Sequence, residues 1–140
     1  VTEAVNAGYD EAILLTAEGF VADGSGENIF VIKDGKIATP ELGNSILPGI
    51  TRDTVIQIAQ DLGHRVEETL LIRTDLYLAD EVFMVGTATE VAPVRSVDDR
   101  EIGVGPVTRE LQKAYLDTVQ GHSERWGQWL DVVEMSPSAA

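Results

Sequence analysis

Ile29-Phe30-Val31-Ile32 is apolar at four consecutive positions and is bounded on both sides by turn chemistry. A strand with one wet face alternates apolar and polar residues, so an unbroken run of this kind reads as a buried strand. Asp34-Gly35 at its downstream end predicts a tight hairpin into a second strand, Ile37 to Thr39. The upstream end is unusual. Asp23, Gly24, Ser25, Gly26, Glu27 and Asn28 lead into the buried run, and two carboxylates, an amide and two glycines exceed what a simple turn requires.

Other elements follow from periodicity. Residues 11–16 and 20–22 have strand character around a turn at 17–19, and residues 64–71 and 81–87 read as further strands. The spacing predicts helices over 50–62, closed by Gly63, over 74–80, and over 106–121 with Pro106 in its first turn. "VTEAVNAG" reads as the last turns of a helix closed by Gly8, so the chain is expected to begin inside an element. Residues 40–49 are a loop, residues 89–105 strand and loop, and residues 136–140 a disordered tail.

Composition removes several classes of function. The formal charge of −14 repels nucleic-acid phosphates and anionic lipid, so neither is expected as a partner. Without cysteine there is neither a disulfide framework nor a thiolate metal site. No stretch reads as a secretory leader or a membrane span, and a cytoplasmic protein is the expectation. With 140 residues, 44% of them hydrophobic, one core is expected.

Hydrolytic and calcium chemistry fail on spacing. His64 and His122 lie away from any serine framed by a nucleophile elbow. A calcium loop starting at Asp23 would need glycine and glutamate where Asn28 and Asp34 stand, and no metal site is expected. Two loops remain. In "LPGITRD" (47–53) the free N–H groups of Ile50 and Thr51 open a helix, which is either an ordinary cap or an anion site. In "MVGTATE" (84–90) Gly86, Thr87 and Ala88 follow a buried strand. That is either a tight turn or a place where a ligand approaches the backbone.

Taken in order, "GYDEAILL", "VADGSGENIFVIKDG", "ATPELGNSILPGITRD", "LYLADEVFMVGTATEVAPVRSVDDREIG" and "GPVTRELQKAY" resemble the C-terminal domain of branched-chain-amino-acid aminotransferases. These are fold type IV enzymes of pyridoxal 5'-phosphate (PLP). The resemblance runs from Gly8 to about Leu130. It implies an α/β (α+β) fold with a barrel-like, largely antiparallel sheet surrounded by helices, residues 1–135 forming the PLP-binding domain. It also implies transfer of the amino group of leucine, isoleucine or valine to 2-oxoglutarate, in an enzyme that is at least dimeric. By the same resemblance, Asp23 is the partner of the pyridine nitrogen. Leu47 packs on the ring, and Ile50, Thr51 and Thr87 hold the phosphate. Gly86, Thr87 and Ala88 receive the substrate, while Glu27 and Asn28 supply supporting hydrogen bonds.

The chain departs from the family in two ways. Asp23 stands where glutamate is usual, one methylene longer. No lysine matches the Schiff-base position: Lys33 and Lys36 flank a turn, and Lys113 lies in a C-terminal helix. The family's lysine falls upstream of Val1, as do its small N-terminal domain and phosphate-binding arginine, so these residues alone are expected to be inactive. Alternatives are a D-amino-acid aminotransferase, an aminodeoxychorismate lyase, or a non-catalytic half-domain that binds a phosphate ligand or a partner chain.

Overall fold

The computed structural model describes residues 1–135; the expected disordered tail, 136–140, lies outside them. Strand β1 (Asn28–Lys33) is the middle of a five-stranded sheet. On one side it pairs with β2 (Lys36–Pro40), which pairs in parallel with β3 (Val66–Thr69). On the other side it pairs antiparallel with β4 (Glu81–Gly86), which pairs with β5 (Glu90–Pro93). The sheet order is therefore β3-β2-β1-β4-β5. The hairpin predicted at Asp34-Gly35 is present, both residues having positive φ, 50° and 74°, as the tight hairpin turn demands.

Unbroken apolar runs are explained by cover on both faces of the sheet. Phe30, Ile32, Phe83 and Val85 point to one face, where helix α2 (Ile50–Asp61) brings Val55, Ile56, Ile58 and Ala59. Helix α4 (Pro106–Val119) adds Leu111 and Tyr115 to the same layer. Ile29, Val31, Val82 and Met84 point to the other face, against Val21, Leu71, Val97 and Leu76 of the short helix α3 (Arg73–Tyr77). Phe30 pairs with Phe83 in register, and their rings stack with centroids 4.8 Å apart.

The sheet is open, not barrel-like. Among the described residues β3 and β5 are its edges, and neither invites closure. β3 is four residues long and carries exposed Glu67 and Glu68, while β5 ends at Pro93, which has no N–H to donate. Residues 96–101 instead fold into a separate two-stranded ribbon, β6 (Ser96–Val97) and β7 (Arg100–Glu101). The ribbon is pinned to α3 through Asp98, whose carboxyl is held below the usual carboxylate range by the Tyr77 hydroxyl and the Arg73 guanidinium.

The expected strand at 11–16 is reduced to a single bridge between Leu15 and Val21. Leu14 and Leu15 are each 44% exposed, so this arm lacks the cover that would make it a sheet member. Helix α1 (Thr2–Asn6) is short and buries none of its residues. Among the described residues no helix is long and apolar enough to cross a membrane.

Two buried charges lock the helices to the sheet. Arg52 of α2, 4% exposed, donates through Nη2 to Pro40 O at 3.1 Å and to Glu68 Oε1 at 2.6 Å. Glu81, 5% exposed, opens β4 and accepts the N–H groups of Thr108 (2.8 Å) and Val107 (3.4 Å) at the start of α4. Gly105 leaves room for it, since a Cβ there would overlap the Glu81 carboxyl group. The carboxylate satisfies N–H groups that have no partner inside the helix, and its charge suits the helix's positive end. Glu81→Ala is therefore expected to lower stability by about 1.5–3 kcal/mol in chemical denaturation, and a loss under about 0.5 kcal/mol would remove the cap from this account.

Candidate functional site

Antiparallel pairing places the start of β1 beside the end of β4, with Asn28 opposite Val85. Both strands leave the sheet at this end, and the chain on either side closes a cleft of about 100 Å³. It is lined by Asp23, Gly26, Glu27 and Asn28 from the entry to β1, and by Leu47, Gly49, Ile50 and Thr51 around the start of α2. Val85, Gly86 and Thr87 from the end of β4 complete it.

The loop before α2 is clipped to the entry of β1 at one residue. Asp23 Oδ2 accepts the N–H of Leu47 at 3.2 Å, and Asn28 Nδ2 donates to the Leu47 carbonyl at 2.9 Å. Gly49 then passes so close to Asn28 that a Cβ would overlap its Oδ1. Asp23 and Asn28 are both buried, whereas the Leu47 side chain is 69% exposed. The clip thus grips the backbone of Leu47 and leaves its side chain free at the cleft.

Gly49 is the N-cap of α2 and provides no side-chain cap. Asp53 N–H bonds Gly49 O at 3.1 Å, so the N–H groups of Ile50, Thr51 and Arg52 precede the first intrahelical bond. Gly49, Ile50 and Thr51 of this helix start, which has no side-chain cap, line the cleft. Thr51 is buried, while Ile50 is 85% exposed and offers its backbone.

On the opposite wall, Gly86 presses against the Asp23–Asn28 stretch, where a Cβ would lie 3.2 Å from Gly26 O. Gly24 is confined as well, a Cβ there lying 2.8 Å from both Glu27 Oε2 and Met84 Cε. The sequence reading brings Asp23, Leu47, Ile50, Thr51, Gly86 and Thr87 to one place, and the structure gathers all six. Ala88 is exposed in the turn after β4 and is not among the lining residues. The importance of Gly49 is not visible in the sequence, because its contact partner, Asn28, is distant along the chain.

Chemically, the cleft offers helix amides for an anion and, at Asp23, a buried carboxylate with one donor against about four lone-pair sites. Residues 1–97 match the family described as Amino-transferase class IV. The chain belongs to the class IV aminotransferases.

The chain is 50% identical over 135 residues to the branched-chain-amino-acid aminotransferase of Pseudomonas aeruginosa, covering 94% of this chain and 44% of that protein. Identity to the Escherichia coli K12 enzyme of that name is also 50%, over 136 residues, with 94% and 44% covered. In structure it matches the PLP form of the Thermobaculum terrenum branched-chain aminotransferase with a TM-score of 0.94 and 45% identity. That match covers 96% of this chain and 45% of the other. The branched-chain aminotransferase of Thermoproteus uzoniensis, solved with norvaline, gives a TM-score of 0.91 at 48% identity, covering 93% of this chain and 44% of that one. The chain thus spans less than half the length of the relatives it matches.

The clip generates a double-mutant prediction. Gly49→Ala should destabilise where Asn28 is present, because the new methyl overlaps Asn28 Oδ1. Asn28→Ala should relieve that overlap, so the paired effects should fall short of their sum by about 0.5–3 kcal/mol. Strict additivity in denaturation experiments would contradict the observed packing.

Proposed function

We propose that this chain is the C-terminal, PLP-binding part of a longer branched-chain aminotransferase. The full enzyme transfers the amino group of leucine, isoleucine or valine to 2-oxoglutarate. The observation that carries the reading is the cleft itself: a buried carboxylate and a helix start without a side-chain cap, facing one space, in a chain about half identical to branched-chain aminotransferases.

The residues fit the cofactor. Asp23 would partner the pyridine nitrogen and favour its protonated form, and Leu47 would pack on the ring. The N–H groups of Ile50 and Thr51, with the hydroxyls of Thr51 and Thr87, receive the phosphate at the positive end of α2. Gly86 lets the backbone of Thr87 and Ala88 approach the substrate carboxylate. When bound, PLP supplies the electron sink that makes the substrate α-proton removable. Among the described residues no lysine or arginine lines the cleft. The reactive lysine and the phosphate's cationic partner are assigned to the rest of the enzyme, as the family resemblance implies. That remainder forms a small N-terminal domain, and the assembled protein is a cytoplasmic homo-oligomer.

The test is glutamate formation from leucine and 2-oxoglutarate by the full-length protein with PLP. Turnover is expected there and not from residues 1–140 alone, and a full-length protein that neither binds PLP nor transaminates would refute the reading. Asp23→Asn in the full-length protein nearly preserves shape and removes the negative partner of the ring nitrogen. PLP should still bind, while turnover falls by at least about a hundredfold, the equivalent of roughly 2.7 kcal/mol in barrier. Asp23→Glu should stay within about tenfold of the parent. Parental turnover by the asparagine variant would assign the nitrogen to another partner.

A further inference from the structure

Glu27 lines the cleft, and its side chain reaches across to the opposite wall. Its Oε2 accepts the N–H of Gly26 at 3.1 Å, within its own loop. Its Oε1 accepts the hydroxyl of Thr89 at 3.0 Å, from the turn that joins β4 to β5. Its backbone carbonyl accepts the N–H of Gly24 at 2.8 Å, which closes the loop on itself. The carboxylate is thus a bridge between two segments 62 positions apart in sequence.

The turn needs such a bridge. Register pairs Gly86 with Glu90, so residues 87–89 form the connection, and Thr87 and Ala88 are exposed. Glu90 closes it with φ at +59°, a left-handed conformation that costs a non-glycine residue free energy. Among the described residues, the Thr89–Glu27 bond is the single side-chain hydrogen bond made by residues 87–89. Gly86 brings the turn within contact of the Glu27 stem, where a Cβ would lie 3.4 Å from Glu27 Cγ.

Glu27 also stands at a boundary. It lines the small cleft, and together with Thr89 it lines a broader, open concavity of about 1040 Å³ beside it. That concavity is bounded by the 9–15 arm and by residues 92–99. The Glu27 carboxylate accepts from Gly26 and Thr89 and has the Glu11 side chain beside it, and none of the three belongs to the start of α2 at Ile50 and Thr51. The bridge therefore acts on the turn and not on the helix start.

We propose that Glu27 is a positioning residue for substrate: through Thr89 it fixes the 87–89 turn against the Asp23–Asn28 loop, so that the Thr87 and Ala88 backbone meets the substrate carboxylate in one orientation. This rests on the functional reading above. A bond that only held the fold together would affect stability and cofactor retention. A bond that sets the turn affects carboxylate binding first.

The experiment is done on the full-length protein with Thr89→Val, which keeps the shape and removes the hydroxyl, and with Thr89→Ser, which restores it. Thr89→Val should raise KM for leucine and for 2-oxoglutarate by about threefold to tenfold, with a smaller change in kcat. The dissociation constant of a branched aliphatic monocarboxylate, read from cofactor absorbance, should rise by a similar factor. The thermal midpoint should hold at its parental value, PLP affinity should change by less than KM because Thr87 is one of several phosphate donors, and Thr89→Ser should return KM to within about twofold of the parent. Parental KM in Thr89→Val, in a protein that binds PLP and transaminates, overturns the inference alone. Loss of PLP and a lowered midpoint alongside the KM change also overturns it, by showing a merely structural bond. A parent protein without PLP binding or transamination overturns the functional reading and this inference together.

Discussion

The pairing of β1 with β4 is the interaction on which the rest depends. Phe30 and Phe83 stack across the ladder, and the alternate residues of both strands feed the layer on the other face. A strand pair buried on both faces exposes no polar side until it leaves the sheet, so its ends are where polar chemistry can begin. Antiparallel register then decides which ends meet. The entry to β1, with its carboxylates and amide, lies beside the exit of β4, with Gly86 and Thr87. The cleft is a consequence of this register, and a slip of one residue would send every one of these side chains to the wrong face.

The third wall comes from the crossover between β2 and β3. Because those strands are parallel, the chain must travel back along the sheet, and α2 makes that return over the Phe30 face. Arg52, on the first turn of α2, ties the helix start to Pro40 of β2 and Glu68 of β3. The same turn carries the amides of Ile50 and Thr51. A buried arginine anchored in the sheet thereby fixes the helix start that lines the cleft, without itself being among the lining residues.

Much of this is legible in the sequence, and the gaps have physical causes. Strands β1, β2 and β4 and helices α2 and α4 are readable because each carries its own local signal: an apolar run, Asp-Gly, a helical stripe, a first-turn proline. The arm at 11–16 misleads because its Leu14 and Leu15 are apolar yet partly uncovered, and local apolarity cannot report missing cover. The open sheet is not readable either, since closure depends on how edges meet in three dimensions. Glu81 looks like the polar first residue of a strand. Its burial depends on Gly105 and the start of α4, distant along the chain, and no local pattern marks that. Among the site residues, ordering and resemblance bring six to one cleft, but the reason for Gly49 is its contact with Asn28.

That same contact bears on the aspartate at 23, where the resemblance leads one to expect glutamate. A shorter acid reaches less far, so its usefulness depends on how firmly its backbone is placed. Asp23 is placed from two directions. Its carbonyl accepts the Leu14 N–H at 2.8 Å from the neighbouring arm, and its Oδ2 accepts the Leu47 N–H from the loop before α2. Asn28 holds the other side of the Leu47 residue, so the donor that orients Asp23 is itself held. A side chain with one fewer rotatable bond, oriented before any ligand arrives, has less conformational freedom to lose on binding. Asp23 is thus held in place, and that fixity comes from the segment that also delivers the start of α2. Asp23 and the start of α2 are joined through the backbone of Leu47, which makes the geometry of one end of the cleft a condition on the geometry of the other.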